Sequence, residues 1–113
     1  RCAGVSFSSA RTIATPDTPY IATAEDIDGD GDVDVISGSY AANTLDWYAN
    51  DGSQSFSGRT ISAAVTTAYR AVAIDVDGDS DMDALSAAPT IDTVLFHEND
   101  GSQSFIDHAT TCA

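Results

Sequence analysis

Residues 26–34 read D-I-D-G-D-G-D-V-D, and residues 75–83 read D-V-D-G-D-S-D-M-D. The two stretches hold ten of the chain's eighteen acidic residues: Asp26, Asp28, Asp30, Asp32, Asp34 and Asp75, Asp77, Asp79, Asp81, Asp83. They stand 49 positions apart, and their flanks repeat with them. Residues 20–56 align with residues 69–105 without a gap, and 18 of the 37 positions are identical. Unrelated segments of average composition would share about two or three. The chain is therefore built on a duplicated unit. A shorter echo runs backwards: Phe7–Ile13 (F-S-S-A-R-T-I) resembles Phe56–Ile61 (F-S-G-R-T-I) with one residue inserted. So two full units are preceded by one extra copy of the unit's last segment.

Within a unit the pattern is β. Tyr20–Glu25 and Tyr69–Ile74 alternate small residues with larger ones. Val33–Ser37 and Met82–Ser86 are short apolar runs, and Thr44–Ala49 and Thr93–Glu98 are rich in aromatic and β-branched residues. Asp51-Gly52 and Asp100-Gly101 are hairpin signals, followed by Gln54–Ile61 and Gln103–Ala109. No segment keeps a helical period over ten residues. Ala63–Ala68 comes nearest, and its Val-Thr-Thr content argues against a helix. Four short strands per unit of 40–50 residues are the pattern of propeller blades. The expected fold is all-β: two four-stranded antiparallel β-propeller-type blades plus an extra N-terminal strand. Residues 1–13 form that orphan outer strand, 14–61 the first blade, and 62–113 the second blade with a C-terminal tail.

The acidic loops carry the chemistry. Five carboxylates crowded into one turn repel one another, and the chain has no Lys to offset them. Either a divalent cation neutralises the loop or the loop stays open and solvated. Hard oxygen donors at positions 1, 3, 5 and 9 of a tight turn suit Ca²⁺; Mg²⁺ holds its waters too firmly, and transition metals favour His or Cys. The expected ligands are the side chains of Asp26, Asp28, Asp30 and Asp34 with the carbonyl of Asp32. In the second loop they are Asp75, Asp77, Asp79 and Asp83 with the carbonyl of Asp81. Gly29 and Gly78 let the backbone curl, and Ser80 in place of Gly31 strains the second loop. An EF-hand is rejected. Its twelfth position should be a bidentate Glu between helices. Here Ser37 and Ser86 stand at that position, with strand-like flanks.

The pattern A-x-A-x-D-x-D-G-D-x-D-x-D, followed by a strand, a hairpin and a closing Phe, resembles the FG-GAP/VCBS repeats. These form blades of integrin-α-like β-propellers. The resemblance spans both units and the leading segment. It implies Ca²⁺ between the first and second strands of each blade, and an extracellular setting. Such propellers close with about seven blades, whereas this chain has two.

Composition sets limits on partners. With 18 Asp+Glu against 4 Arg, the formal charge is −14. Phosphate binding needs clusters of Lys and Arg, so nucleic acid and anionic membrane surfaces are excluded as partners. No apolar run is long enough to span a bilayer. The apolar share of 42% is too high for an acidic disordered tail. The chain begins at Arg1, as a processed secreted product or an excised fragment would. Cys2 and Cys112 lie at opposite ends and in an oxidising compartment could join the termini or link neighbouring chains. There is no N-x-S/T sequon, and the Ser/Thr content permits O-linked sugar.

No nucleophile signature, phosphate loop or H-E-x-x-H motif is present, so no enzyme is expected. Phe7, Phe56, Phe105, Trp47, Phe96, Tyr20 and Tyr69 are read as packing residues, and Tyr48 and His97 as solvent-facing. Two blades cannot close a ring, and each blade expects a neighbour on both faces. The expected function is that of a secreted, non-enzymatic, calcium-binding structural protein. It would self-assemble head to tail into an extracellular filament or a closed oligomer, with Val5–Ile13 donated to a neighbouring sheet edge. The alternatives are a glycan-binding or cell-adhesion module, or a fragment of a larger propeller.

Overall fold

The computed structural model describes residues 9–65 and 69–111. Cys2, Cys112 and the first two residues of the N-terminal echo, Phe7 and Ser8, lie outside these residues. Two sheets are formed, and neither closes on itself. The first contains β1 (Pro19–Glu25), β2 (Asp34–Ser39), β3 (Thr44–Asn50) and β4 (Phe56–Ser62). The second contains β5 (Arg70–Ile74), β6 (Asp83–Ala88), β7 (Thr93–Asn99) and β8 (Phe105–Thr111). Both are antiparallel meanders in simple sequence order. The only helical element among the described residues is a 3-10 turn, Pro89–Ile91.

The fourth strands begin at Phe56 and Phe105, two residues later than the sequence pattern predicts. Gln54 and Gln103 sit in the hairpin turns with positive φ (65° and 60°), which strand geometry forbids. Both sheets already hold four strands of their own. A donated N-terminal strand would therefore extend a sheet rather than complete one. Ser9–Pro16 form no regular element. Arg11 Nη1 donates to Gln54 Oε1 at 3.0 Å, and Ile13 and Phe56 line one shallow groove.

Strand alternation decides how the sheets meet. Thr23, Ile36 and Trp47 are cross-strand partners and share one face of the first sheet. That face packs on Ala71, Ala84 and Leu95 of the second sheet. Ile27, Ile61 and Val65 complete a single core shared by the two units. Ile36, Leu45 and Trp47 are essentially inaccessible. Each such side chain contributes about 1.5–3 kcal/mol of burial. Ala71 and Ala84 on the receiving sheet leave space for the larger side chains of the first sheet, and Leu95 adds bulk of its own.

Trp47 is the largest residue in this interface. Its ring meets Phe105 edge-on at 6.3 Å between centroids, and the Arg59 guanidinium stands 5.1 Å from its centre. Its Nε1–H is buried with no acceptor among the described residues. An orphaned donor offsets part of what the ring contributes. Trp47→Ala should cost about 3–5 kcal/mol in a urea or thermal melt. Trp47→Phe, the residue of the second unit at this position, should cost well under half of that. Equal losses would mean that the ring's bulk is not what holds the sheets together.

Candidate metal centres

Each acidic loop joins the first two strands of its sheet, so the turn must reverse the chain while holding five carboxylates. Backbone amides do much of this work. Asp26 accepts from Gly29 N–H through Oδ1 and from Gly31 N–H through Oδ2, both at 2.9 Å. Asp28 accepts from Asp30 N–H at 3.2 Å, and Asp30 from Asp32 N–H at 2.8 Å. The second loop repeats the set: Asp75 holds Gly78 and Ser80, Asp77 holds Asp79, and Asp79 holds Asp81. Gly29 and Gly78 supply the positive φ that the curl requires (75° and 80°).

The last aspartate of each loop is buried and has a structural task of its own. Asp34 is fully inaccessible. Its Oδ2 accepts from Ile27 N–H at 2.9 Å and its Oδ1 from Asn50 N–H at 2.8 Å. One carboxylate thus ties the acidic loop to the far end of β3. Asp83 does the same with Val76 N–H and Asn99 N–H, both at 2.9 Å. Asn50 and Asn99 return the link by donating from Nδ2 to the carbonyls of Val33 and Met82. The hairpin after each Asn is fastened locally. Asp51 Oδ1 accepts from the Ser53 hydroxyl and from the Ser53 and Ser55 amides. These bonds, the hydroxyl first, hold the Asp51 carboxyl below the usual carboxylate range. Ser102 does the same for Asp100. This accounts for the N-D-G-S-Q-S repeat in chemical terms.

Three carboxylates converge in each loop. Asp26, Asp28 and Asp34 each offer an oxygen, and these atoms lie within 4.8 Å of one another; Asp75, Asp77 and Asp83 do likewise. Asp30 and Asp79 are not part of these groups. Asp32 and Asp81 turn elsewhere: a Cβ on Gly52 would lie 2.7 Å from Asp32 Oδ2, and one on Gly101 would lie 2.9 Å from Asp81 Oδ2. Their carboxylates therefore rest against the neighbouring hairpin, and only glycine leaves room for them. The electrostatics of the clusters follow from crowding. Burial, then the charges of Asp34 and Asp30, push the Asp28 carboxyl above its usual range. Asp77 is raised in the same way, by desolvation and then by Asp79 and Asp83. A cation placed among these oxygens removes that repulsion. Each group consists of aspartate oxygens alone, with no His or Cys among its members, so each cluster could hold one hard cation.

The structure also contains a polar network that the sequence reading does not anticipate. His97 is fully buried rather than solvent-facing. Its Nδ1 is 2.7 Å from Asp107 Oδ1, and its Nε2 is 2.8 Å from Ser86 Oγ. Ser62 of the first sheet donates to Asp107 Oδ2 at 2.5 Å, so the network crosses between the units. The order Ser–His–Asp is that of a nucleophile relay. Ser86 is only 2% exposed, however, and is sealed in the interface where no substrate can reach it. The network instead satisfies polar groups at a junction between two sheets. A signal for it exists in the repeat. Tyr48 and Gly58 of the first unit become His97 and Asp107 of the second, and Tyr48 pairs with Gly58 across the strands as His97 pairs with Asp107. Tyr20 and Tyr69 also depart from expectation. Both are about half exposed, and their hydroxyls meet at 3.1 Å.

Repeated four-stranded sheets, each with an acidic cradle between its first two strands, define a class of β-repeat modules. A family model for the FG-GAP-like repeat matches residues 26–86, more than half of the chain, and the chain belongs to that family. No curated protein and no solved structure matches it.

The two loops differ where Ser80 replaces Gly31. Ser80 is held at φ 78°, a region that L side chains rarely adopt. Ser80→Gly should therefore stabilise the protein by about 1 kcal/mol. A thermal melt checks this, and a variant that melts no higher than the parent would show that the second loop carries no such strain.

Proposed function

We propose that this protein is a secreted, non-enzymatic, calcium-binding structural module whose two sheets act as β-propeller-type blades and which associates with copies of itself outside the cell. The observation that carries this reading is the paired cradle. Two clusters of three converging carboxylates are built by the same backbone bonds at the same place in both sheets. Membership of the FG-GAP-like repeat family supports an extracellular setting, and no helix among the described residues is long and apolar enough to cross a membrane.

Asp26, Asp28 and Asp34 would hold one Ca²⁺, and Asp75, Asp77 and Asp83 the other. The bound ion supplies positive charge and nothing redox-active. The chain's own residues do the rest. Asp34 and Asp83 lock each loop to β3 or β7, Gly29 and Gly78 set the curl, and Asn50 and Asn99 close the corner. Cation binding is then linked to folding, because the cluster exists only when the strands on either side are in place. Two dications would bring the formal charge from −14 to −10, which lowers the repulsion between copies.

A second reading has one specific observation behind it. Tyr20, Tyr40 and Tyr69 form an exposed aromatic group at the strand ends away from the acidic loops, with centroids 4.7 Å and 5.9 Å apart. Exposed tyrosine rings suit stacking on sugars, and a glycan array would register such binding.

Chelation tests the calcium reading. Extracellular modules hold Ca²⁺ with Kd of roughly 10⁻⁴–10⁻³ M. At a hundredfold excess over Kd, each site should add about 2.7 kcal/mol. A chelating agent should therefore lower the melting temperature by many degrees, and Ca²⁺ should restore it where Mg²⁺ does not. A melt indifferent to chelator would contradict the reading.

A further inference from the structure

We infer that the free face of the second sheet docks on the free face of the first sheet of another copy, repeating between chains the contact that joins the two units within one chain. This rests on the self-association proposed above and names the surfaces that carry it. The repeat makes the correspondence residue by residue. Within the chain, the first sheet presents Thr23, Ile36, Leu45 and Trp47 to its neighbour, and the last three are buried there. Forty-nine positions on, the second sheet presents Val72, Leu85, Val94 and Phe96 on the equivalent face. No other element among the described residues covers it. Val72 is 47% and Val94 44% exposed, and together with Leu85 they line an open groove.

The receiving face has its counterpart as well. The second sheet receives the first through Ala71, Ala84, Ser86 and His97. The first sheet offers Ala22, Val35, Ser37 and Tyr48 at the same positions; they line another groove together with the chain's own Arg11, Thr12, Ile13, Ala14 and Pro16, and Ser37 is only 6% exposed there. Ile13 fits the same scheme. It is the sequence counterpart of Ile61, which lies in the buried junction at 5% exposure, whereas Ile13 is 42% exposed beside the free face of the first sheet. An incoming copy would cover it as the second sheet covers Ile61.

The two free faces are also complementary in charge. Arg70 stands on the free face of the second sheet, where the first unit has Ile21 on its inner face. Asp46 stands on the free face of the first sheet, where the second unit has the buried Leu95. Glu98 also stands on the free face of the second sheet, where the first unit has Ala49, but it is taken up by His108 at 2.8 Å. Arg70 therefore remains opposite in sign to Asp46, whose carboxylate accepts from the Thr44 and Thr60 hydroxyls of its own sheet. Such an arrangement favours head-to-tail pairing over pairing of like faces. Because the two faces differ, the contact does not close on itself after two copies, and association continues into a chain or a larger ring. The tie between Ser62 and Asp107 has no equivalent across this contact, since Gly58 occupies the position of Asp107. Copies should therefore separate more readily than the two units of one chain.

Two single substitutions, one on each face, test the pairing in Ca²⁺. Val94→Glu spoils the face of the second sheet, and Ala22→Glu spoils the face of the first. By analytical ultracentrifugation, the parent protein should gain mass with concentration. Each variant alone should associate about tenfold or more weakly. An equimolar mixture should recover one-to-one dimers and nothing larger, since each variant keeps the face the other lacks. A parent protein that stays monomeric, a Val94→Glu variant that associates like the parent, or a mixture that stays monomeric would overturn the inference. Dimers of Ala22→Glu alone would point to pairing of like faces and would also overturn it. Circular dichroism reports whether each variant folds; if Val94→Glu does not, Val72→Glu serves on the same face. Melts with and without chelator on the same samples keep the two claims apart. A chelator-sensitive fold that never associates refutes the docking and leaves the calcium reading standing.

Discussion

One buried carboxylate per sheet determines how the rest is placed. Asp34 bonds to the amides of Ile27 and Asn50, and Asp83 to those of Val76 and Asn99. Each joins the acidic loop to the end of the third strand. A carboxylate with no access to water is tolerated only when it is fully hydrogen-bonded or paired with a cation. Here two strong backbone donors satisfy it, and the remaining carboxylates of the loop are gathered beside it. The cradle is therefore not an appendage on a finished sheet. The same residue that completes the cluster also fixes the corner of the sheet.

The junction between the units follows a different rule. It is asymmetric: the first sheet contributes Ile36, Leu45 and Trp47, and the second contributes Ala71, Ala84, Ser86 and His97 beside Leu95 and Phe105. Trp47 shares one buried core with Ala71 and Ala84 and meets Phe105 edge-on. His97, Ser86, Asp107 and Ser62 close the polar side of the same junction. Such an interface has a donor side and a receiver side, and among the described residues the outer face of each sheet carries a groove. Val72 and Val94 of the second sheet, and Ala22, Val35 and Tyr48 of the first, line these grooves. The structure thus combines local order imposed by aspartates with long-range order imposed by stacking of unlike faces.

Much of the fold could be read from the sequence because the repeat gives each strand twice. The eight strands, their order and the two acidic loops follow from alternation, Asp-Gly turns and an offset of 49. The details that escaped depend on tertiary placement. The positive φ of Gln54 and Gln103 is set by Asn50 and Asn99, whose side chains cap the turn, and no propensity scale records that. Asp32 and Asp81 are set apart from the side-chain ligands by the sequence, but that their carboxylates rest against the hairpins depends on the room that Gly52 and Gly101 leave. His97 looks like an exposed residue in isolation. Its burial follows from Asp107 across the strands and Ser62 on the other sheet, and these partners meet only once the sheets have stacked.

The central claim is that each acidic loop is a half-made site that a hard dication completes. Isothermal titration of Ca²⁺ into chelator-stripped protein tests it most directly. Saturable binding of two ions per chain is expected, and of one ion when Asp28→Ala removes a carboxylate from the first cluster. Heats no larger than those of dilution, or an unchanged stoichiometry in that variant, would contradict it.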